Sequence, residues 1–279
     1  MSRSPRGANI WTQGKAKSLK LQDSYAGIAR ALSSLGLALP TVDRFVSTLA
    51  GFVIYDPQTA VLRGTQSDAV PVDPIGLGGS RLAEAVSALL VPEEGRFGPM
   101  PLDELFTLIS WAKSIDVSEP SPDILSPSIA SLRYMIRFTD RFMRSDRNLL
   151  SAYDASEGAL YVLFALTLLF HPKVPRFFAI ENIDHALHPR LARALIGKMG
   201  EQIRSSGRQI LLTTHNPLVL DGLDLADEAI RLFTVDRTTD GHTLVSRVEY
   251  TEALAKARQS GATLSEMWTS GLLGAVPEL

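Results

Sequence analysis

Two short apolar runs set the pattern of the chain. Phe177 to Ile180 stops abruptly at Glu181 and Asn182, and Ile210 to Leu212 stops at Thr213, Thr214 and His215. Between them lie about twenty residues of helical pattern. Runs of this length, separated by a helix, predict buried parallel strands joined by a crossover. Ligands of such a sheet bind just beyond the carboxyl ends of its strands. Glu181, Asn182 and His215 are therefore expected side by side on one rim. Upstream, Phe52 to Tyr55 predicts a strand ended by Asp56-Pro57. Helical spacing covers Tyr25 to Leu37, Val42 to Leu49, Ser80 to Leu90 and Pro101 to Ile115. Gln58 to Gly76 reads as loop and Glu119 to Pro127 as a Pro/Ser connector. Alternation at Leu132, Tyr134, Ile136 and Phe138 predicts a half-exposed strand, turned at Ser145-Asp146 into a partner near Leu149-Leu150. Leu160 to Phe170 is a nearly all-apolar helix, expected to be packed on most sides. Ile230 to Val235 and Thr243 to Val248 read as strands joined by Thr239-Asp240-Gly241, and Glu252 to Arg258 and Leu264 to Trp268 as closing helices.

These elements define three regions: a polar, loose lead-in over 1–22, a helical and α+β arm region over 23–150 with a small antiparallel hairpin, and an α/β core over 151–279. Composition changes this picture little. The 279 residues carry 45% hydrophobic side chains and a formal net charge of −2. A sizeable core is available, and there is no global attraction to nucleic acid. The absence of cysteine excludes disulfides and thiolate metal sites and fits a reducing compartment. The first eighteen residues lack the apolar centre of a signal peptide. Leu160 to Phe170 is too short to span a bilayer. The expectation is a soluble, cytoplasmic protein with no membrane contact.

Candidate chemistry lies in the second half. Ser156-Glu157-Gly158 precedes the apolar helix, where free N–H groups and a hydroxyl can hold an anion; an ordinary Ser cap is the plainer reading. Glu181 at a strand tip can hold Mg²⁺ through a water. Asn182 can orient a water but cannot take its proton. His215 can hydrogen-bond a terminal phosphate. A different constellation, Glu181 with Asp184, His185 and His188, suggests a divalent-metal hydrolase, because Asp184 and His188 are four apart. Pro189 argues for a new helix starting there instead.

Taken together, Ser156-Glu157-Gly158-Ala159-Leu160, the run Phe177 to Pro189 and Gln209 to Pro217 resemble the signature, Walker B and switch segments of the ABC/SMC/RecF-like superfamily, in particular the bacterial AAA-type predicted ATPases of the ABC class. The resemblance continues into Asp221-Gly222-Leu223 and Leu264 to Gly274. It implies a partial P-loop NTPase sheet over Phe177 to Val248 with flanking helices, behind an α+β N-terminal part. It implies ATP and Mg²⁺ as cofactors and a head-to-tail dimer in which Ser156, Glu157 and Gly158 act in trans, with Asp184 beside the nucleotide. Glu181 would hold Mg²⁺, Asn182 would position water, and His215 would sense the γ-phosphate. Nucleic acid would be engaged through a larger complex.

Two departures qualify the resemblance. The phosphate pattern G-x-x-x-x-G-K-[ST] is missing: Gly14-Lys15 is followed by Ala16, and Gly76, Gly78 and Gly79 have no Lys. The usual catalytic Glu is Asn182. The chain thus resembles the C-terminal portion of such an ATPase. One alternative is a non-catalytic regulatory or assembly module whose partner, in a homodimer or heterodimer, supplies the P-loop. One face of the sheet is then expected to lie open.

Overall fold

The computed structural model describes residues 2–4, 7–12, 15–19, 40–120 and 133–274, with side chains from residue 44 onward. The expected helix at Tyr25 to Leu37 lies outside these residues, as does most of the Glu119 to Pro127 connector. The chain divides into two compact units, Met1–Phe52 and Val53–Leu279. In the first, β1 (Ser2–Ser4), β2 (Gly7–Thr12) and β3 (Lys15–Leu19) form an antiparallel sheet where the sequence suggested a loose lead-in. Helix α1 (Pro40–Ala50) follows, with Pro at its first position.

The second unit is mixed α/β and contains a parallel sheet. Strand β4 (Val53–Tyr55) leads into the single turn α2 (Thr59–Leu62), and then a loop runs to α3 (Leu82–Ser87). That loop contains the Gly-rich stretch. Its amides are occupied by a carboxylate of the chain itself: Asp68 Oδ2 accepts from Gly78 N–H (3.0 Å) and from the Ser80 hydroxyl (3.2 Å). Gly76 sits at φ +82°, and a Cβ there would fall 2.3 Å from Asp68 Oδ2, so a larger residue would be strained and would displace the carboxylate.

Three two-residue strands, β5 (Leu90–Val91), β6 (Arg96–Phe97) and β7 (Met100–Pro101), precede α4 (Leu102–Leu108). The helix predicted to Ile115 stops here. From Ala112 the sequence Ala-Lys-Ser-Ile-Asp-Val-Ser alternates, and it forms β8 (Ala112–Ser118). Strands β8, β9 (Met135–Asp140) and β10 (Leu149–Ser151) make a three-stranded antiparallel sheet, one strand more than the predicted hairpin. Ile115, Ile136 and Phe138 fill its buried face, and Trp111 tilts over Phe138 at 5.2 Å.

Helix α5 (Glu157–Phe170) is buried at every position from Gly158 to Leu169. Strand β11 (Phe177–Ile180), helix α6 (Pro189–Ser206) and strand β12 (Gln209–Leu212) then build the predicted parallel crossover. The sheet order is β12-β11-β4. The third strand is thus the upstream Val53–Tyr55, and the sequence did not indicate its place. Tyr55, Phe178 and Phe164 of α5 meet edge to face, at 5.7 and 6.1 Å, between sheet and helix. Burial pushes the Tyr55 hydroxyl up to about 12. Core and arm share one hydrophobic cluster, so the boundary expected near residue 150 does not separate two cores.

Helix α7 (Pro217–Leu220) precedes β13 (Leu232–Arg237) and β14 (Thr243–Val248), followed by α8 (Glu252–Gln259) and α9 (Leu264–Thr269). Strands β13 and β14 pair with each other in a separate antiparallel sheet; the expectation that the main sheet extends to Val248 is corrected. Asp221 anchors α9 by accepting from Ser265 N–H (2.9 Å) and its hydroxyl (2.7 Å). The next residue, Gly222, lies against α6, where a Cβ would come within 2.4 Å of Arg193 O.

One side chain closes the far end of α5. The Arg208 guanidinium, at the foot of β12, donates to the carbonyls of Leu169 (2.9 Å), Val174 (2.6 Å), Pro175 (2.9 Å) and His171. Helix ends leave carbonyls without intrahelical partners, and a cation there also complements the dipole. Arg208→Met should destabilise the protein by about 3 kcal/mol, through several unmet buried carbonyls, read as a lower urea midpoint.

His171 is buried beside this clamp, and its Nδ1 accepts from Lys173 N–H (3.2 Å). Burial lowers its pKa, with the nearby charges of Lys173 and Arg208 adding to the effect. The folded residue therefore takes up a proton less readily than the unfolded chain. Its stabilising contribution is complete above about pH 6.5 and is lost as pH falls from there through the lower folded value. His171→Gln should flatten this acid limb in thermal melts collected across that range.

Candidate functional site

The carboxyl ends of β4, β11 and β12 form one rim. Pairing continues past the strands: Glu181 N–H donates to Tyr55 O (2.9 Å), Thr213 N–H to Ile180 O (3.2 Å), and Ile183 N–H to Thr213 O (3.1 Å). These bonds hold Glu181, Asn182 and Thr213 in register. The side chain of Glu181 is exposed at the tip of β11. Asn182 adopts φ +47°, a left-handed conformation that Asn tolerates better than most residues. Its N–H donates to Thr213 Oγ1 (2.9 Å).

Asp184 follows in the same turn and accepts from Thr214 Oγ1 (2.6 Å). The Thr214 hydroxyl oxygen in turn accepts from Asn216 N–H (3.0 Å), and Asn216 caps α7 through Leu218 N–H (3.0 Å). His215 is left exposed between two fixed neighbours, one strand over from Glu181. The structure thus brings Glu181, Asn182 and His215 to one rim, as the sequence pattern implied, and sets Asp184 in the turn beside them.

The start of α5 meets this rim from the side. Ser156 is exposed at the N-cap and makes no side-chain capping bond. Glu157 accepts a hydrogen bond from the Thr59 hydroxyl, tying the helix to the segment after β4. Gly158 is buried against the turn after β11: a Cβ there would lie 3.5 Å from Ala186 O and from Leu187 and Leu191 side chains. Ser156 and the backbone are therefore what this motif presents to solvent. Tyr161, one turn on, donates to Pro57 O (2.8 Å) and stacks at a tilt 5.7 Å from His185. Burial raises its pKa, and the carboxylates of Glu157 and Asp56 add to the effect.

Sequence reasoning missed Asp56, Gln58, Thr59, Thr213 and Tyr161 as neighbours of the rim. A strand ending in Asp-Pro was legible, but its pairing with β11 was not. The divalent-metal alternative finds no support in the geometry. Helix α6 begins at Pro189, and His188 serves as its cap, accepting from Arg190 N–H (3.2 Å). Asp184 and His188 therefore do not share a helix face, and the described residues contain no group of three or more acidic or His side chains able to hold a metal.

A family model matches residues 79–221, just over half of the chain; its description is "AAA domain, putative AbiEii toxin, Type IV TA system". No curated protein matches the chain significantly. Among solved structures, one from work on ATP-driven dimerization and DNA-stimulated activation of SMC ATPases is similar. It shows 13% identity over 66% of this chain and 95% of that one, with a TM-score of 0.39. An Smc head domain with a coiled coil and joint from Pyrococcus yayanosii gives 14% identity, 65% and 29% coverage and a TM-score of 0.36. An Smc head domain from Pyrococcus furiosus, bound to the C-terminal domain of ScpA, gives 15% identity, 64% and 38% coverage and 0.39. No helix among the described residues is long and apolar enough to cross a membrane.

The left-handed turn at Asn182 can be separated from its carboxamide. Asn182→Gly should leave stability nearly unchanged, whereas Asn182→Ala should cost about 1 kcal/mol for the same φ. Thermal or urea unfolding of the two variants checks this.

Proposed function

Because the chain belongs to this AAA-domain family, we propose that the rim of β11 and β12 is the Mg²⁺-and-water side of an ABC-type ATP-hydrolysing site on a P-loop NTPase sheet. The observation that carries this reading is the placement of Glu181, Asn182 and His215 at the carboxyl ends of adjacent parallel strands. The donor set fits the groups it would meet. Glu181 presents an exposed carboxylate, the type of ligand Mg²⁺ takes directly or through water. Bound Mg²⁺ supplies neutralisation of charge on phosphate oxygens.

The side chains of the rim divide the remaining work. Asn182 orients the attacking water through its carboxamide, and its strained turn keeps that group fixed. It cannot accept the water's proton, so turnover is slow: loss of a general base typically costs about 10²–10⁴ in rate. His215 donates to a terminal phosphate oxygen from its exposed position. Asp184 holds the Thr214 hydroxyl and so the approach of β12 to that phosphate. Ser156, with Glu157 and Gly158 shaping its backbone, faces the γ-phosphate of a second subunit in a head-to-tail dimer. Antiphage defence or DNA handling is the setting that the sequence resemblance implies.

A second reading is favoured by a specific feature of the sheet. Parallel sheets are normally covered on both faces. Here the row Ile54–Ala179–Leu211 runs along one face of β4, β11 and β12; Ala179 in its centre is buried, but Ile54 and Leu211 on either side are 52% and 49% exposed. Among the described residues β12 pairs only with β11. The Gly-rich loop is filled by Asp68 and has no Lys. In this reading a lobe bearing the phosphate loop covers the open face and completes the site, and the chain alone is a regulatory or assembly module.

Titration calorimetry of Mg·ATP into the purified chain, with Glu181→Ala and His215→Ala alongside, decides between them. Micromolar binding weakened at least about tenfold in both variants, the scale of one lost charge-assisted contact, supports a nucleotide site in the chain itself. Absence of heat with folded wild-type protein overturns that and leaves the module reading.

A further inference from the structure

The turn between β9 and β10 carries chemistry that the ATP reading does not use. Its sequence is Asp140-Arg-Phe-Met-Arg-Ser-Asp-Arg-Asn148. Phe142 is 79% exposed and Met143 44%, an unusual display for a large aromatic residue and its neighbour. The turn is built to hold them out. Asp140 Oδ1 accepts from Phe142 N–H (2.7 Å) and Met143 N–H (2.9 Å). Arg147 N–H closes on Arg144 O (2.9 Å), and Asn148 Nδ2 donates to Asp140 O (3.3 Å).

Cations surround this apolar tip. Arg141 is pinned at its base, donating to Ala112 O (2.8 Å). Arg144 and Arg147 are exposed along the turn, and Lys113, exposed in the bulge of β8, stands beside Asp140. Asp146 pairs with Arg144 at 3.2 Å, but both lie in solvent, where such a pair contributes little. Counting Asp140 and Asp146 against these four cations, the tip is net positive in a chain of net charge −2.

We propose that this tip is a contact for single-stranded nucleic acid. Phe142 offers a ring on which an unpaired base stacks, and the arginines offer planar donors for the flanking phosphates. A duplex hides its base faces, which is why the single strand is the fitting partner. A membrane surface fits less well, since the tip exposes few apolar side chains among its arginines. The proposal is independent of the ATPase reading: it concerns a different surface and needs no nucleotide.

Fluorescence anisotropy with a labelled single-stranded oligothymidylate tests it on the full chain, without ATP, at two salt concentrations. Phe142→Ala should weaken binding about tenfold, the scale of one base stacked on an aromatic ring. Arg144→Ala/Arg147→Ala should weaken it too and reduce the slope of log affinity against log salt by about 1.4, two phosphates' worth for a single strand. A matching oligoribonucleotide tells which polymer is bound; variant-sensitive binding of either one supports the proposal. Both variants alter exposed side chains, and unchanged melting curves will show that the fold is intact. No binding of either polymer by wild-type protein overturns the proposal, as does binding that both variants leave unchanged. Phosphatidylserine vesicles run in parallel overturn it if they alone bind with this dependence on Phe142 and the arginines.

Discussion

A fourteen-residue helix with no polar face has to be enclosed, and the second unit is arranged to enclose α5. Each of its leucines contributes about 1.5–3 kcal/mol when removed from water, but only if something covers it. The inner face of the parallel sheet covers one side through Tyr55 and Phe178. Helix α3, itself packed against the antiparallel sheet, covers another, and α6 a third. Arg208 then closes the carboxyl end, where bare carbonyls would otherwise be buried. From Val53 onward, the arm and core segments are one compact unit that shares this helix.

Enclosing α5 also positions the chemistry. The buried body of the helix sets where its first turn emerges, and that turn carries Ser156, Glu157 and Gly158. Glu157 is fixed to Thr59 and Gly158 lies against the turn after β11, so the helix start and the strand tips form one assembly. The rim residues are held by backbone pairing beyond the strand ends, while the side chains of Glu181 and His215 remain in solvent. Rigid backbone with free side chains is the condition a binding rim requires. The same economy leaves the opposite face of the sheet with Ile54 and Leu211 uncovered.

The Gly-rich loop is instructive in another way. Glycines with free amides suggest an anion site, and an anion is there, but it is the side chain of Asp68. Asn182 shows the reverse: its left-handed turn gives a conformational reason for Asn at a position where the resemblance had suggested only a chemical one. Local chemistry read from sequence identifies the type of group that belongs at a position. It does not say which atom fills it.

By itself the sequence determined the elements whose pattern is internal to a short segment. These are the two apolar strands and their crossover helix, the all-apolar α5 with its start after Ser156, and the turn at Thr239-Asp240-Gly241; the side-chain cap that a Ser at this position suggests is not made. It also determined that Glu181, Asn182 and His215 share a rim, because strand ends and polar stops coincide within about forty residues, the length of one crossover unit. Tertiary structure alone decided the rest. The alternation from Ala112 became a strand because β9 was there to pair with it, and the same residues had fitted a helical period. Val53–Tyr55 joined β11 across more than a hundred residues, bringing Asp56, Gln58 and Thr59 to the site, while β13 and β14 stayed apart. Strand pairing is a long-range match of edges and faces, and a single sequence records each edge without recording its partner.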